Sequence, residues 1–122
     1  MHRILVIDDH EDICLFMKEA LQMCGYDVAT ATDGNTGLAL QRRRPADVVI
    51  TDIFMPDADG METIHNLKKD FPKVKIIAMS GGGMMSKNVD YLSMAREFGA
   101  DRVLAKPFDG DALMEAIRSV LA

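Results

Sequence analysis

The chain has only two cysteines, little clustered positive charge and no apolar run long enough to span a membrane. Each scarcity excludes something. Cys14 and Cys24 fall on one expected helix, separated by about 15 Å at helical rise, which is too far for a disulfide. Both are expected as core or near-core thiols in a reducing compartment. The first apolar segment stops at Asp8 and Asp9, too soon for a signal-peptide core, so the expectation is a cytoplasmic chain with no membrane partner. A net charge of -5 argues against a nucleic-acid partner, because phosphate binding needs clustered Lys and Arg. The one basic run, Arg42, Arg43 and Arg44, falls where a helix should end and complements its dipole. No linker, repeat or low-complexity segment interrupts the chain. Its 122 residues, 48% hydrophobic and 27% charged, suit one domain, residues 1–122, with one core.

What is present is an alternation. Short aliphatic runs recur as RILVI (3–7), DVATA (27–31), ADVVIT (46–51), KIIAM (75–79) and RVLA (102–105). Helical patterns lie between them. The first covers Glu11 to Cys24, with Ile13, Phe16, Met17, Ala20, Leu21 and Cys24 on one face and Gly25 as its stop. The second starts near a capping Asp33 and ends before Pro45; the third follows Gly60 and ends before Pro72. The fourth spans roughly Asn88 to Phe98, and the fifth starts near Gly110. Strict alternation predicts an α/β fold with a doubly wound, five-stranded parallel sheet covered on both faces. Ligands of such sheets sit beyond the carboxyl ends of the strands, where the winding reverses.

Those ends carry chemistry. The first strand ends in Asp8 and Asp9, the third in Asp52, the fourth in Ser80 and the fifth in Lys106. In the order 2-1-3-4-5 they meet in one crevice. Adjacent acids at the end of a buried strand repel by about 4 kcal/mol at a protein-surface dielectric, and a divalent cation offsets that repulsion. Hard oxygen ligands suit Mg²⁺. One carboxylate can then act as a nucleophile towards phosphorus and form an aspartyl phosphate, while metal and lysine neutralise the developing charge. Asp52 is the best candidate, being central and followed by a turn, FMPDADG, expected to leave its side chain exposed. Lys106 must reach across roughly 10 Å. Ser80, on the adjacent strand, can donate to a phosphoryl oxygen. His10 beside the acids is expected as a surface residue of the first helical turn, because imidazole prefers softer metals. His2 and His65 have no constellation around them. Asp57 and Asp59 lack the remaining ligands of a calcium loop, and turn chemistry explains them.

Over essentially its whole length the sequence resembles a response-regulator receiver domain of the CheY-like, flavodoxin-like (βα)5 kind. The resemblance rests on Asp8-Asp9, on Asp52 with Met55-Pro56 and Gly60 after it, on Ser80, and on Lys106-Pro107-Phe108. It implies that Asp52 is the phosphoacceptor and Ser80 the switch hydroxyl. It also implies that Asp9, Asp52 and the Phe54 carbonyl hold Mg²⁺, with Asp8 acting through water, and that the Lys106–Pro107 peptide is cis. A histidine kinase or phosphotransfer protein is the implied donor, and the face of helix four, strand five and helix five the implied output surface. The expected molecule is not an enzyme and has no attached output domain, so it signals by changed binding. Val103 stands where such domains often carry an aromatic ring that moves with the switch hydroxyl. The glycines of SGGGMMSKN suit two readings, a loop that moves instead and a floppy insertion of no regulatory consequence. Phe54 and Gly82, unable to activate water, suggest slow self-dephosphorylation.

Rival readings are weaker. AMSGG (78–82) resembles the nucleophile elbow of a serine hydrolase, but all three histidines precede Ser80, whereas that arrangement needs one after it. A phosphatase using Asp52 would need an acid two residues on, where Phe54 stands. A receiver-shaped binding module that is never phosphorylated is the remaining alternative.

Overall fold

The structure is a computed structural model that describes residues 2–55, 58–81 and 91–122. Its elements in chain order are β1 (Arg3–Ile7), α1 (Glu11–Met23), β2 (Asp27–Ala31), α2 (Gly34–Arg43), β3 (Val48–Asp52), β4 (Phe54–Met55), β5 (Ala58–Asp59), α3 (Gly60–Asp70), β6 (Lys75–Gly81), α4 (Tyr91–Phe98), β7 (Arg102–Lys106) and α5 (Gly110–Leu121). The sheet has five strands in the order β2-β1-β3-β6-β7, all parallel. Counting the sheet strands alone, this is the expected 2-1-3-4-5.

The apolar runs form strands because they are buried on both faces, and their alternation divides the core. Ile4 and Val6 of β1, with Val48 and Ile50 of β3, pack against Met17 and Leu21 of α1 and Leu113 and Ile117 of α5. Leu5, Ile7 and Val49 point the other way, towards Leu38 of α2, Ile64 and Leu67 of α3 and Ala95 of α4. A two-residue period in a strand and a three-to-four-residue period in a helix suffice to build both layers. Helix starts follow local chemistry. Asp33 caps α2 by accepting from the Thr36 N–H at 2.7 Å, and Asp109 caps α5 by accepting from the Ala112 N–H at 2.8 Å. Gly25, at φ 92°, follows α1 in the left-handed region that glycine tolerates without strain.

Several expectations need correction. Phe16 is 59% exposed and Cys24 is also exposed, so neither belongs to the buried face of α1. The buried stripe is Cys14, Met17 and Leu21; Phe16 lies about 100° around the helix from Met17, and Cys24 is already the C-cap. Inside the stretch expected as a turn, β4 and β5 pair antiparallel, Phe54 with Asp59 and Met55 with Ala58, which gives their backbone groups partners. The expected fourth helix begins at Tyr91 among the described residues; 88–90, and the glycine-rich loop from Gly82 onward, lie outside them. Among the described residues no helix is long and apolar enough to cross a membrane.

Candidate functional site

The site forms where three neighbouring parallel strands, and the strand beyond them, run out. Just past β1, the Asp8 N–H still donates to the Ala31 carbonyl at 3.0 Å, so the ladder carries this residue into the interior, and its side chain is fully buried. Asp52 is the last residue of β3. Lys106 is the last of β7, and its Nζ donates to Asp8 Oδ2 at 2.9 Å and to Asp52 Oδ2 at 3.1 Å. The lysine thus crosses β6 to clamp carboxylates from two strands. Asp52 is only 4% exposed. This corrects the expectation of an exposed side chain: with Lys106 bonded to it, a carboxylate can sit below the surface because a cation accompanies it.

Ser80 lies on β6, paired in register with Ala105 of β7, and is fully buried. Among the described residues its Oγ has no hydrogen-bond partner, and neither has the buried Oδ1 of Asp9. Buried polar atoms without partners are uncommon and call for a ligand or a function. Phe54 follows Asp52 by two positions at the start of β4. The Lys106–Pro107 peptide is cis, as the resemblance implied. Val103 packs, partly buried, against the core layer of α2, α3 and α4.

His10 is the residue whose position the sequence did not convey. It is the N-cap of α1, and its backbone N–H donates to Asp8 Oδ1 at 2.9 Å. This short aspartate turn swings the ring round, so that Nδ1 stands 3.0 Å from Asp8 Oδ1 and 3.2 Å from Asp9 Oδ1. The side chain is 65% exposed, as expected of a surface residue, yet it lies against the acids. The readable signal was an Asp two residues before the N-cap of a helix, which favours that turn.

The local electrostatics agree with this geometry. Burial pushes the Asp8 carboxyl up, but the His10 N–H and the Lys106 ammonium outweigh it and hold the group below the ordinary carboxylate value. Burial pulls Lys106 down, but its bonds to Asp8 and Asp52 and the attraction of both charges leave it above the ordinary lysine value. His10 is raised by its hydrogen bond to Asp8 and by the charges of Asp9 and Asp8. One ligand atom from each of Asp8, Asp9, His10 and Asp52 lies within 4.8 Å of all the others. Mostly carboxylate in character, with one buried oxygen that among the described residues accepts no hydrogen bond, this donor set fits a hard divalent cation. The remaining histidines stand apart, His65 edge-on to Phe98 at 6.4 Å and His2 3.6 Å from Asp47. Asp57 and Gly82 lie outside the described residues, as does the side chain of Phe54.

Comparison with known proteins finds a match over residues 4–118 to the family described as the response regulator receiver domain. A probable transcriptional regulator, ycf27, of Guillardia theta is 37% identical over 119 residues, covering 98% of this chain and 45% of that protein. The DNA-binding dual master transcriptional regulator RpaA of a Synechocystis strain is 31% identical, covering 99% of this chain and 49% of its own length. The chain therefore spans about half the length of these curated relatives. Among solved structures, a response regulator receiver domain protein from Clostridium thermocellum superposes with a TM-score of 0.89 at 33% identity, covering 99% of this chain and 94% of that one. A CheY-like receiver domain protein from Methanospirillum hungatei does so with a TM-score of 0.90 at 30% identity, over 99% and 94%.

Proposed function

The chain belongs to the response regulator receiver domain family, and from that premise we propose that residues 1–122 form one receiver domain, phosphorylated on Asp52 in two-component signalling. The donor is a histidine kinase or a phosphotransfer protein. An Asp52 carboxylate oxygen attacks the phosphorus of a phosphohistidine; the P–O bond forms as the P–N bond breaks, and the released imidazole nitrogen keeps the electron pair and takes a proton from water. Asp9, Asp52 and the Phe54 carbonyl, assisted by Asp8, would hold Mg²⁺, which would supply neutralisation of the charge on the phosphoryl oxygens. Lys106 turns its ammonium from the carboxylates to a phosphoryl oxygen, and the Ser80 hydroxyl donates to another.

The observation that carries this reading is the clamp of Lys106 on Asp8 and Asp52, at 2.9 and 3.1 Å, beside a buried Ser80 hydroxyl that has no hydrogen-bond partner among the described residues. A cation already in contact with the acceptor, and a buried hydroxyl donor beside it, suit the arrival of a group that brings anionic oxygens. The phosphoryl group then interacts differently with two arrangements of the Ser80 region, and their populations shift. The downstream partner is a protein that reads the face of α4, β7 and α5. The domain works in the cytoplasm as a signalling module rather than an enzyme, with no nucleic acid or membrane partner of its own. The DNA binding in the name of RpaA is that whole protein's property.

Incubation with a small acyl phosphate and Mg²⁺, followed by intact mass measurement, tests the assignment. The wild type is expected to gain one phosphoryl group and Asp52→Asn none. A gain in both places the acceptor elsewhere. No gain in a wild type that binds Mg²⁺ supports the unphosphorylated binding module instead.

A further inference from the structure

His10 enters the acidic cluster in a way that the receiver reading does not use. Two ligands adjacent on an octahedral ion with bonds of about 2.1 Å are about 3 Å apart. His10 Nδ1 stands at 3.0 Å from Asp8 Oδ1 and 3.2 Å from Asp9 Oδ1, the separations of neighbouring ligands on one ion. Hydrogen bonding accounts for only one of these approaches. Asp8 Oδ1 pairs with the ring nitrogen at 3.0 Å, whereas the buried Asp9 Oδ1, at 3.2 Å, is drawn to the ring by charge alone and among the described residues has no hydrogen-bond partner. Lys106 holds Asp8 through the other oxygen, Oδ2. One side of the Asp8 carboxylate therefore faces the lysine and the other faces Asp9 and the imidazole, so a cation on the Oδ1 side need not displace the lysine.

We propose that His10 Nδ1 is a ligand of the divalent-cation site, joining Asp9 and Asp52 with Asp8 beside them, and that it makes the pocket select ions that accept imidazole nitrogen, such as Co²⁺, over Mg²⁺. The proposal rests on the reading of these acids as a cation site and adds to it a residue that decides which cation is taken. Carboxylate and water suit Mg²⁺ and discriminate weakly among divalent ions. Imidazole adds little for Mg²⁺ but favours the later first-row metals.

The test uses the whole chain and its His10→Ala and His10→Gln variants. Because the His10 side chain is exposed and makes no side-chain cap bond, the substitutions remove its contacts with Asp8 and Asp9 but no capping contact, and circular dichroism verifies the fold. Calorimetric titration with MgCl₂ and with CoCl₂ is expected to show Co²⁺ affinity falling roughly tenfold or more in both variants, with Mg²⁺ affinity changing much less. Electron spin echo measurements on the Mn²⁺-loaded wild type are expected to show nitrogen hyperfine coupling that the variants lose. If Mg²⁺ binds but the variants shift both metals equally, or the coupling is absent or survives in His10→Ala, His10 is not a ligand and the acidic site stands without it. If the wild type takes up none of the three ions, the cation-site reading itself is overturned.

Discussion

Replacing Lys106 by Met keeps most of the side-chain length and removes the charge, so it isolates what the ammonium does for the acids. Nζ lies 2.9 Å from Asp8 Oδ2 and 3.1 Å from Asp52 Oδ2. At a separation of about 3 Å and an effective dielectric of about 20, each pair attracts by about 5 kcal/mol before desolvation is counted. Desolvation cancels much of this, and breaking a buried pair by removing one partner typically costs about 3–5 kcal/mol. The Lys106 side chain keeps 22% of its exposure, so solvent reaches the site and the lower end applies. We expect Lys106→Met to lose about 3 kcal/mol of unfolding free energy in a chelator.

The informative quantity is how that loss changes with Mg²⁺. In the variant a divalent cation meets two carboxylates no longer neutralised by lysine, so it should bind more tightly than in wild type. Linkage makes the difference between the losses in chelator and in saturating Mg²⁺ equal to RT times the logarithm of the ratio of the two dissociation constants. A tenfold tighter site would reduce the loss by about 1.4 kcal/mol. Urea unfolding followed by circular dichroism in both media, with calorimetric Mg²⁺ titration of both proteins, closes the cycle. Equal losses in the two media, or weaker Mg²⁺ binding by the variant, would show that the lysine and the ion do not act on the same charges.

The fold was legible because strands buried on both faces must be nearly continuous apolar runs, and RILVI, VVI and KIIAM are such runs. Asp8, Asp52, Ser80 and Lys106 were legible for a related reason: polar residues at the carboxyl ends of such strands have no place in the core and converge once the order is known. The rest depended on contacts that sequence spacing does not encode. Burial of Asp52 depends on a lysine more than fifty positions later reaching it from β7. The approach of His10 to the acids depends on a backbone hydrogen bond to Asp8, whereas its residue type alone suggested solvent. The exposure of Phe16 came from a helix needing only Cys14, Met17 and Leu21 to cover its side of the sheet. That stripe is narrower than its apolar content suggested.

Asp33→Ala should cost about 1 kcal/mol, the usual worth of an N-cap. The Thr36 N–H and hydroxyl hold the Asp33 carboxyl below its ordinary value; its stabilisation is therefore present above the unfolded pKa and is lost as pH falls through the folded one. Urea midpoints of wild type and variant should converge below about pH 4, and a gap that stays constant into acid would be contrary to this account. Limited alkylation followed by peptide mapping should label exposed Cys24 first, because Cys14 is buried, bonds to the Asp8 carbonyl at 3.3 Å, and has a thiol pushed up by burial; equal labelling in the native state would contradict that packing. Gly37→Ala tests the support beneath the acids: its new Cβ would collide with Ile7 Cδ1 and come within 2.8 Å of Ile7 Cγ1, and such overpacking costs about 1–3 kcal/mol. Ile7→Val, costing about 0.5–1.5 kcal/mol by itself, removes the Cδ1 that collides but keeps a Cγ1. The double variant should then be less destabilised than the sum of the singles, though not fully relieved, and strict additivity would mean that the two residues do not meet. Ile7 immediately precedes Asp8, so strain there that moves the end of β1 should also weaken Mg²⁺ binding by Gly37→Ala, and the second substitution should recover part of it.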